Sequence, residues 1–205
     1  MWSVNDDDAV DMRTQNKLAT REAISSAALR LAVEQGPGGL ALVRVRDIAE
    51  AAGVSPRTYN NYFSSREEAI CAIESDRARS LGRALLSRPA EEPLGQAITA
   101  AVIEHYGTAE PDKVGLRMIM SSPALEGEAL KAFTTAEEPL AAAIAERLGT
   151  DPAPDLFPHV MAAAIAGAVR VAARHWINDD TTEPFTTVLS RALAHLLPPA
   201  DSADR

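Results

Sequence analysis

The chain has 205 residues, enough for one or two domains with a sizeable core. Apolar residues make up 46% of it and aromatic ones only 4%, with Ala and Leu dominant, which favours helices over strands. A net charge of −9 argues at first against a nucleic-acid partner, and the single cysteine, Cys71, excludes an internal disulfide.

In chain order, Met1 to about Met12 is polar, acidic and without period, and reads as a mobile arm over residues 1–12. A first helix is expected from about Thr14 to Gln35, with Ile24, Ala27, Ala28 and Leu31 on its buried face. Gly36 ends it, and Gly36 to Gly39 is too rich in breakers to be helical. Arg13 to Arg66 carries eight basic residues against four acidic ones, a local +4 that leaves −13 for the rest. A basic head on an acidic body suits a phosphate-binding module attached to a sensor, although a chance excess on a solvated face looks the same. Lys17 and Arg21 stand near the start of the first helix, available for phosphate contact.

The stretch RVRDIAEAAGVSPRTYNNYF, Arg44 to Phe63, is the most informative. Val45, Ile48, Ala49 and Ala52 fall at helical spacing, which predicts a helix over about Arg46 to Ala52. Gly53 follows where a chain leaving a helix commonly needs a left-handed residue. Ser55 is a good N-cap and Pro56 suits the first helical position, so a second helix runs to about Phe63. Two helices joined by so short a turn cross steeply, and Ala49 lets them approach. This is a helix-turn-helix whose second helix is the candidate reader of the DNA major groove.

RDIAEAAGVSPRTYNNYFSSREEA resembles the DNA-binding signature of the tetracycline-repressor (TetR) family of bacterial transcriptional regulators. The resemblance covers about Arg13 to Glu74 residue by residue and rests on helix layout beyond that. It implies an all-α fold of about nine helices. A three-helix DNA-binding domain (13–64) would be followed by a connecting helix (65–88) and a ligand-binding and dimerisation domain (89–205). It places Lys17, Arg44, Arg46, Ser55, Arg57, Thr58, Tyr59, Asn60, Asn61, Tyr62 and Arg66 at or near DNA, with Arg57 a candidate guanine reader and Phe63 a packing residue. Two positions depart from the pattern. Arg44 stands where a capping Thr is common, and Asn60 stands where a Tyr is common. Arg44 cannot cap as Thr does, though its guanidinium suits a phosphate. Asn pairs with the N6/N7 edge of adenine, which makes Asn60 and Asn61 base-reader candidates. Arg66 stands at the family's phosphate-contacting Lys.

Ser65 to Glu68 is a capping box opening a helix that continues through Ile70, Ile73, Leu81 and Leu85 to about Ser87. Cys71, between Ile70 and Ile73, reads as a small buried hydrophobe. Further helices are expected at Leu94 to Gly107, Asp112 to Ser121 and Pro123 to Gly149, the last either continuous or interrupted at Pro139. The final pair is expected at about Pro158 to Asp179 and Pro184 to Leu197. The first of the pair is apolar on more than one face and needs cover on more than one side. Either both helices lie inside one protomer, or they pair with their copies about a two-fold axis. The need for two reading heads favours a homodimer, with Ala163, Ala166, Gly167, Val188, Ala192, Leu193 and Leu196 at the interface.

The resemblance further implies a cavity for a small hydrophobic effector among the middle helices. Its candidate lining is His105, Tyr106, Arg117, Met118, Phe133, His175 and Trp176. No nucleotide, serine-hydrolase or zinc-protease motif occurs and the four histidines are dispersed, so neither enzyme activity nor a cofactor or metal is expected. The acidic start is unlike a secretory signal and no stretch approaches a membrane span. The expected partners are operator DNA, the effector and a second copy, without a membrane, in the bacterial cytoplasm. The alternative is a helical protein-interaction adaptor whose helix-turn-helix serves only in packing.

Overall fold

Residues 4–36, 39–108, 110–151, 154–178 and 182–197 are described by the computed structural model. Nine α-helices and one 3-10 turn make up their regular structure, in two compact units, Met1–Ile73 and Glu74–Arg205.

In the first unit, α1 spans Val4–Glu34, so helix covers residues 4–12 of the stretch expected as an arm. A helix held by packing further on extends over polar residues at little cost. Ile24, Ala27, Ala28 and Ala32 form its buried stripe. Gly36 leaves it at φ +72, as expected. Gly39–Leu42 then forms a 3-10 turn, beginning at the last residue of the expected loop, while residues 37 and 38 lie outside the described set.

Helix α2 (Val45–Ala51) and helix α3 (Pro56–Asn60) are joined through Gly53, at φ +68. Ser55 caps α3 by accepting from the Thr58 amide at 3.0 Å. The amides of Asn61 and Phe63 still bond back four residues, to Arg57 and Tyr59, so helical winding continues to Phe63. Helix α4 (Arg66–Leu86) begins in this unit and ends in the second. Its capping box is offset. Ser65 Oγ accepts from the Glu68 amide, whereas the Glu68 carboxylate reaches the amide and hydroxyl of Ser64. Tyr59 has no exposed surface, and its hydroxyl donates to the Ser65 carbonyl at 2.9 Å. Cys71 is buried as expected.

The second unit contains α5 (Leu94–Gly107), α6 (Lys113–Ser121), α7 (Pro123–Leu148), α8 (Leu156–Asn178) and α9 (Phe185–Leu196). Asp112 caps α6, and Gly149 closes α7 in the left-handed conformation. Of the two alternatives at Pro139, helix α7 takes the continuous one. Burial of Leu140, Ala141 and Ile144 beyond the proline holds the helix across its missing hydrogen bond. Tyr106, Trp176 and Phe185 meet edge-on or tilted at 5.4–5.5 Å, and the Trp176 indole donates to the Glu183 carbonyl at 2.8 Å. Arg147 donates to the carbonyls of Arg88, Pro89 and Glu92, fastening the α4–α5 turn to the end of α7.

Helix α8 corrects one expectation. It offers an 18-residue window of mean hydropathy 1.6 and is long and apolar enough to cross a membrane. Packing accounts for its inner face: Ile165, Val169, Ala172 and Trp176 are buried in the core. Its outer face carries Leu156, Val160 and Val171, which are 73%, 55% and 62% exposed.

A Cβ on Gly82 would lie 2.9 Å from the Pro139 carbonyl oxygen, whereas one on Gly127 would meet nothing within 4 Å. Overpacking of about 1–3 kcal/mol outweighs the roughly 1 kcal/mol that Ala gains over Gly in a helix. Calorimetry should therefore show a lower Tm for Gly82→Ala and a higher one for Gly127→Ala. Equal shifts would contradict the close α4–α7 approach. The Tyr59 hydroxyl is pushed up from 10.0 to about 12, by burial first and then by Glu68 and Glu67, with Arg66 acting in the opposite sense. Above pH 10 the unfolded chain gives up this proton before the folded one, so stability falls as pH rises towards 12. Tyr59→Phe should cost about 1–2 kcal/mol at pH 7 by stranding the Ser65 carbonyl. Urea unfolding at pH 9 and 11 should show that deficit shrinking, and a constant deficit would remove the buried-hydroxyl account.

Candidate nucleic-acid interface

The turn through Gly53 and the Ser55 cap fix where α3 starts, and Tyr59 fixes which way it faces. With Tyr59 directed inward, Arg57, Asn60 and Asn61 are exposed, as is Ser55, while Thr58 and Tyr62 are half-buried. Thr58 and Ser55 also share a hydroxyl contact of 2.9 Å at the start of the helix. Arg44 occupies the N-cap of α2 without a side-chain cap, as its chemistry predicts. Arg44, Arg46, Arg57 and Lys17 are exposed, and their side chains make no hydrogen bond or ion pair among the described residues. The structure therefore brings Arg44, Arg46, Arg57, Asn60 and Asn61 to the surface of one helix-turn-helix with their donors uncommitted.

Three residues expected at the DNA surface have other work. Tyr59 is enclosed, 5.8 Å from the Phe63 ring, because a helix this short needs a large anchor. Arg66 donates to the Val43 carbonyl at 3.0 Å and the Ala41 carbonyl at 3.4 Å, and its Nε meets Glu67 at 2.8 Å. It holds the end of the 3-10 turn against α4. Arg21 donates to the Tyr62 carbonyl at 3.3 Å, and its guanidinium lies 4.5 Å from the centre of the Phe63 ring. It latches α1 to the end of α3.

In the second unit, Leu81, Tyr106, Phe133, Leu140, Ile165 and Val169 surround a cavity of about 20 Å³, with Glu137 at its wall. That is room for about one water, so a drug-sized molecule enters only if the helices part. Of the expected lining, Tyr106 and Phe133 are in place. Arg117 instead donates to the Ile177 carbonyl at 2.6 Å, capping α8. Trp176 belongs to the aromatic core and His175 is exposed. His105 lies 3.3 Å from the Ser80 hydroxyl and edge-on to Tyr106. Met118 is half-buried and is not among the cavity residues. The missed wall was visible as helical spacing: Phe133, Glu137 and Leu140 recur at i, i+4, i+7, as do Ala162, Ile165, Ala166 and Val169 at i, i+3, i+4, i+7.

The expected dimer residues also divide. Val188 and Leu193 are buried within the protomer, at 4% and 0% exposure, and Ala166 lines the cavity. Ala192 and Leu196 pack half-buried against the core. Ala163 is exposed, and a Cβ on Gly167 would meet nothing within 4 Å. With Leu156, Val160 and Val171 they form an apolar stripe along the outside of α8.

Comparison with known proteins gives the same two parts. Residues 24–70 match the family model of bacterial regulatory proteins, tetR family, and residues 92–201 match that of the MftR C-terminal domain. The HTH-type transcriptional regulator TcmR of Streptomyces glaucescens is 30% identical over 199 residues, covering 91% of this chain and 87% of that protein. The mycofactocin biosynthesis transcriptional regulator MftR of Mycobacterium tuberculosis is 25% identical over 171 residues, covering 82% and 84%. A TetR-family regulator from Rhodococcus sp. shares the fold at a TM-score of 0.53 and 22% identity, over 87% of this chain and 98% of that one. The chain thus belongs to the tetR family of bacterial regulatory proteins, as a transcriptional regulator with a helix-turn-helix DNA-binding part and a ligand-binding C-terminal part.

Proposed function

We propose that the protein is a homodimeric repressor of the bacterial cytoplasm that binds a palindromic operator and leaves it when a small hydrophobic effector enters the second unit. The observation that carries this reading is the outward face of α3, where Arg57, Asn60 and Asn61 stand uncommitted beside the buried Tyr59. Arg57 reads guanine through O6 and N7, and Asn60 or Asn61 reads adenine. Arg44, Arg46 and Lys17 contact phosphates and set the register without reading sequence. Local positive charge lets the head bind despite the net charge of −9.

Two copies meet through the α8 stripe, which buries Leu156, Val160, Ala163, Gly167 and Val171 and presents two recognition helices to successive major grooves. The effector acts by population shift. Leu81 forms part of the cavity wall and belongs to α4, the helix that begins in the DNA-binding unit. A ligand too large for this small cavity binds only where that wall has moved, and so favours a form of the dimer that fits the operator less well.

Gel shifts with an operator selected from random duplexes test the DNA half. Arg57→Ala should weaken specific binding by about 1–3 kcal/mol and relax one base position. Equal loss on unrelated sequences would make Arg57 a phosphate contact, and no binding by the wild type would return the adaptor reading. Sedimentation tests the dimer half. Val171→Glu, at a site 62% exposed in the protomer, should yield folded monomers. An unchanged dimer would reject the α8 face, whereas a charge at the fully buried Leu193 would simply unfold the chain.

A further inference from the structure

Which of its two exposed asparagines α3 turns to the bases follows from the order of side chains around its axis. At about 3.6 residues per turn, each residue advances roughly 100°. Starting from the buried Tyr59 and Phe63, the circle of helical positions passes Pro56, Asn60, Arg57 and Asn61, all exposed. It closes through the half-buried Thr58 and Tyr62. Winding holds across these residues, because the Asn61 and Phe63 amides bond back four residues at 3.2 and 3.0 Å. Arg21 donates to the Tyr62 carbonyl at 3.3 Å, which fixes the last turn and keeps Asn61 from rotating towards the middle. Asn60 and Arg57 thus share the middle of the exposed arc, about 60° apart, and Asn61 stands at its edge beside Thr58. Neither asparagine side chain makes a hydrogen bond among the described residues, so position alone separates them. A helix seated in the major groove turns the middle of its exposed arc to the base edges and the borders of that arc to the phosphate walls.

We infer that Asn60, not Asn61, is the adenine reader, that it works with Arg57 on neighbouring bases, and that Asn61 contacts a phosphate. This rests on the DNA-binding reading above and specifies which side chains set the operator sequence. The Asn60 amide donates to adenine N7 and accepts from its N6 amino group, as the Arg57 guanidinium donates to guanine O6 and N7. Three residues of helix rise about 4.5 Å and successive bases about 3.4 Å, so the guanine and the adenine lie within two base pairs of each other. Asn61 at the wall adds affinity without choosing among sequences.

Base analogues in an operator selected from random duplexes by the full-length protein test the inference. Replacing adenine by 7-deazaadenine removes the N7 acceptor and leaves base pairing intact. At one adenine in each half-site this should weaken wild-type binding about tenfold. Asn60→Ala should show no further loss at that adenine, whereas Asn61→Ala should keep the full loss and bind selected and unrelated duplexes more weakly by the same factor. Both variants should keep the wild-type Tm, since both side chains are exposed. A parallel series with 7-deazaguanine and Arg57→Ala locates the guanine, which should lie within two base pairs of the sensitive adenine. The inference is overturned if Asn61→Ala abolishes the adenine effect, if Asn60→Ala retains it, if no adenine is sensitive, or if the two bases lie further apart. Any of these outcomes on a selected operator leaves sequence-specific binding standing. Failure of the wild type to select an operator removes that reading and this inference together.

Discussion

The burial of Tyr59 is the constraint on which the DNA-binding part depends. Helix α3 has only five residues, too few for its own hydrogen bonds to fix its direction. A phenol ring without exposed surface, bonded through its hydroxyl to the Ser65 carbonyl and packed near Phe63, supplies the missing restraint. Arg21 adds a second tie through the Tyr62 carbonyl and the Phe63 ring, and Arg66 ties the 3-10 turn to α4. With Tyr59 turned inward, Arg57 and Asn60 of α3 and Asn61 just after it are left exposed.

Much of this was legible in the chain. Breakers and caps carry short-range information, so Gly53, Ser55, Gly36 and Gly149 marked helix ends correctly, and α5 begins and ends where its spacing placed it. Roles that depend on which side of a short helix meets the core were harder. Tyr59 and Asn60 are adjacent polar residues in sequence, and only the packing shows that one is an anchor and the other exposed. Arg66 was expected at a phosphate because it stands at the family's phosphate-contacting Lys, and Arg21 because it lies near the start of the first helix. Their hydrogen bonds go to carbonyls that are distant in the chain, which spacing does not reveal. The same limit applies to Leu193, whose stripe on α9 is indistinguishable in sequence from an interface stripe: Leu193 has no exposed surface in the protomer, whereas Ala192 and Leu196 beside it are half-buried.

Helix α8 shows how one helix can serve three surfaces. Its buried side is the spine of the second unit, one flank lines the inner cavity, and its outer side is an apolar stripe edged by Arg170 and Arg174. That demand explains a composition rich enough in Ala, Val and Ile to pass for a membrane span. Small residues at Ala163 and Gly167 leave the stripe shallow, which suits close approach of another helix. The inner cavity, by contrast, is nearly filled by its own walls. On the proposed reading, an effector larger than the cavity would have to reorganise these side chains to enter, which would give it a differential affinity between two states.

The account stands or falls on which groove of DNA meets the exposed face of α3. Methylation of guanine N7 blocks the major groove without altering the minor one, so interference mapping on a selected operator reads the contact directly. Two clusters of interfering guanines, related by a two-fold axis and centred about one helical turn apart or a multiple of it, are the predicted result. Full binding to methylated duplexes, or contacts confined to the minor groove, would contradict it.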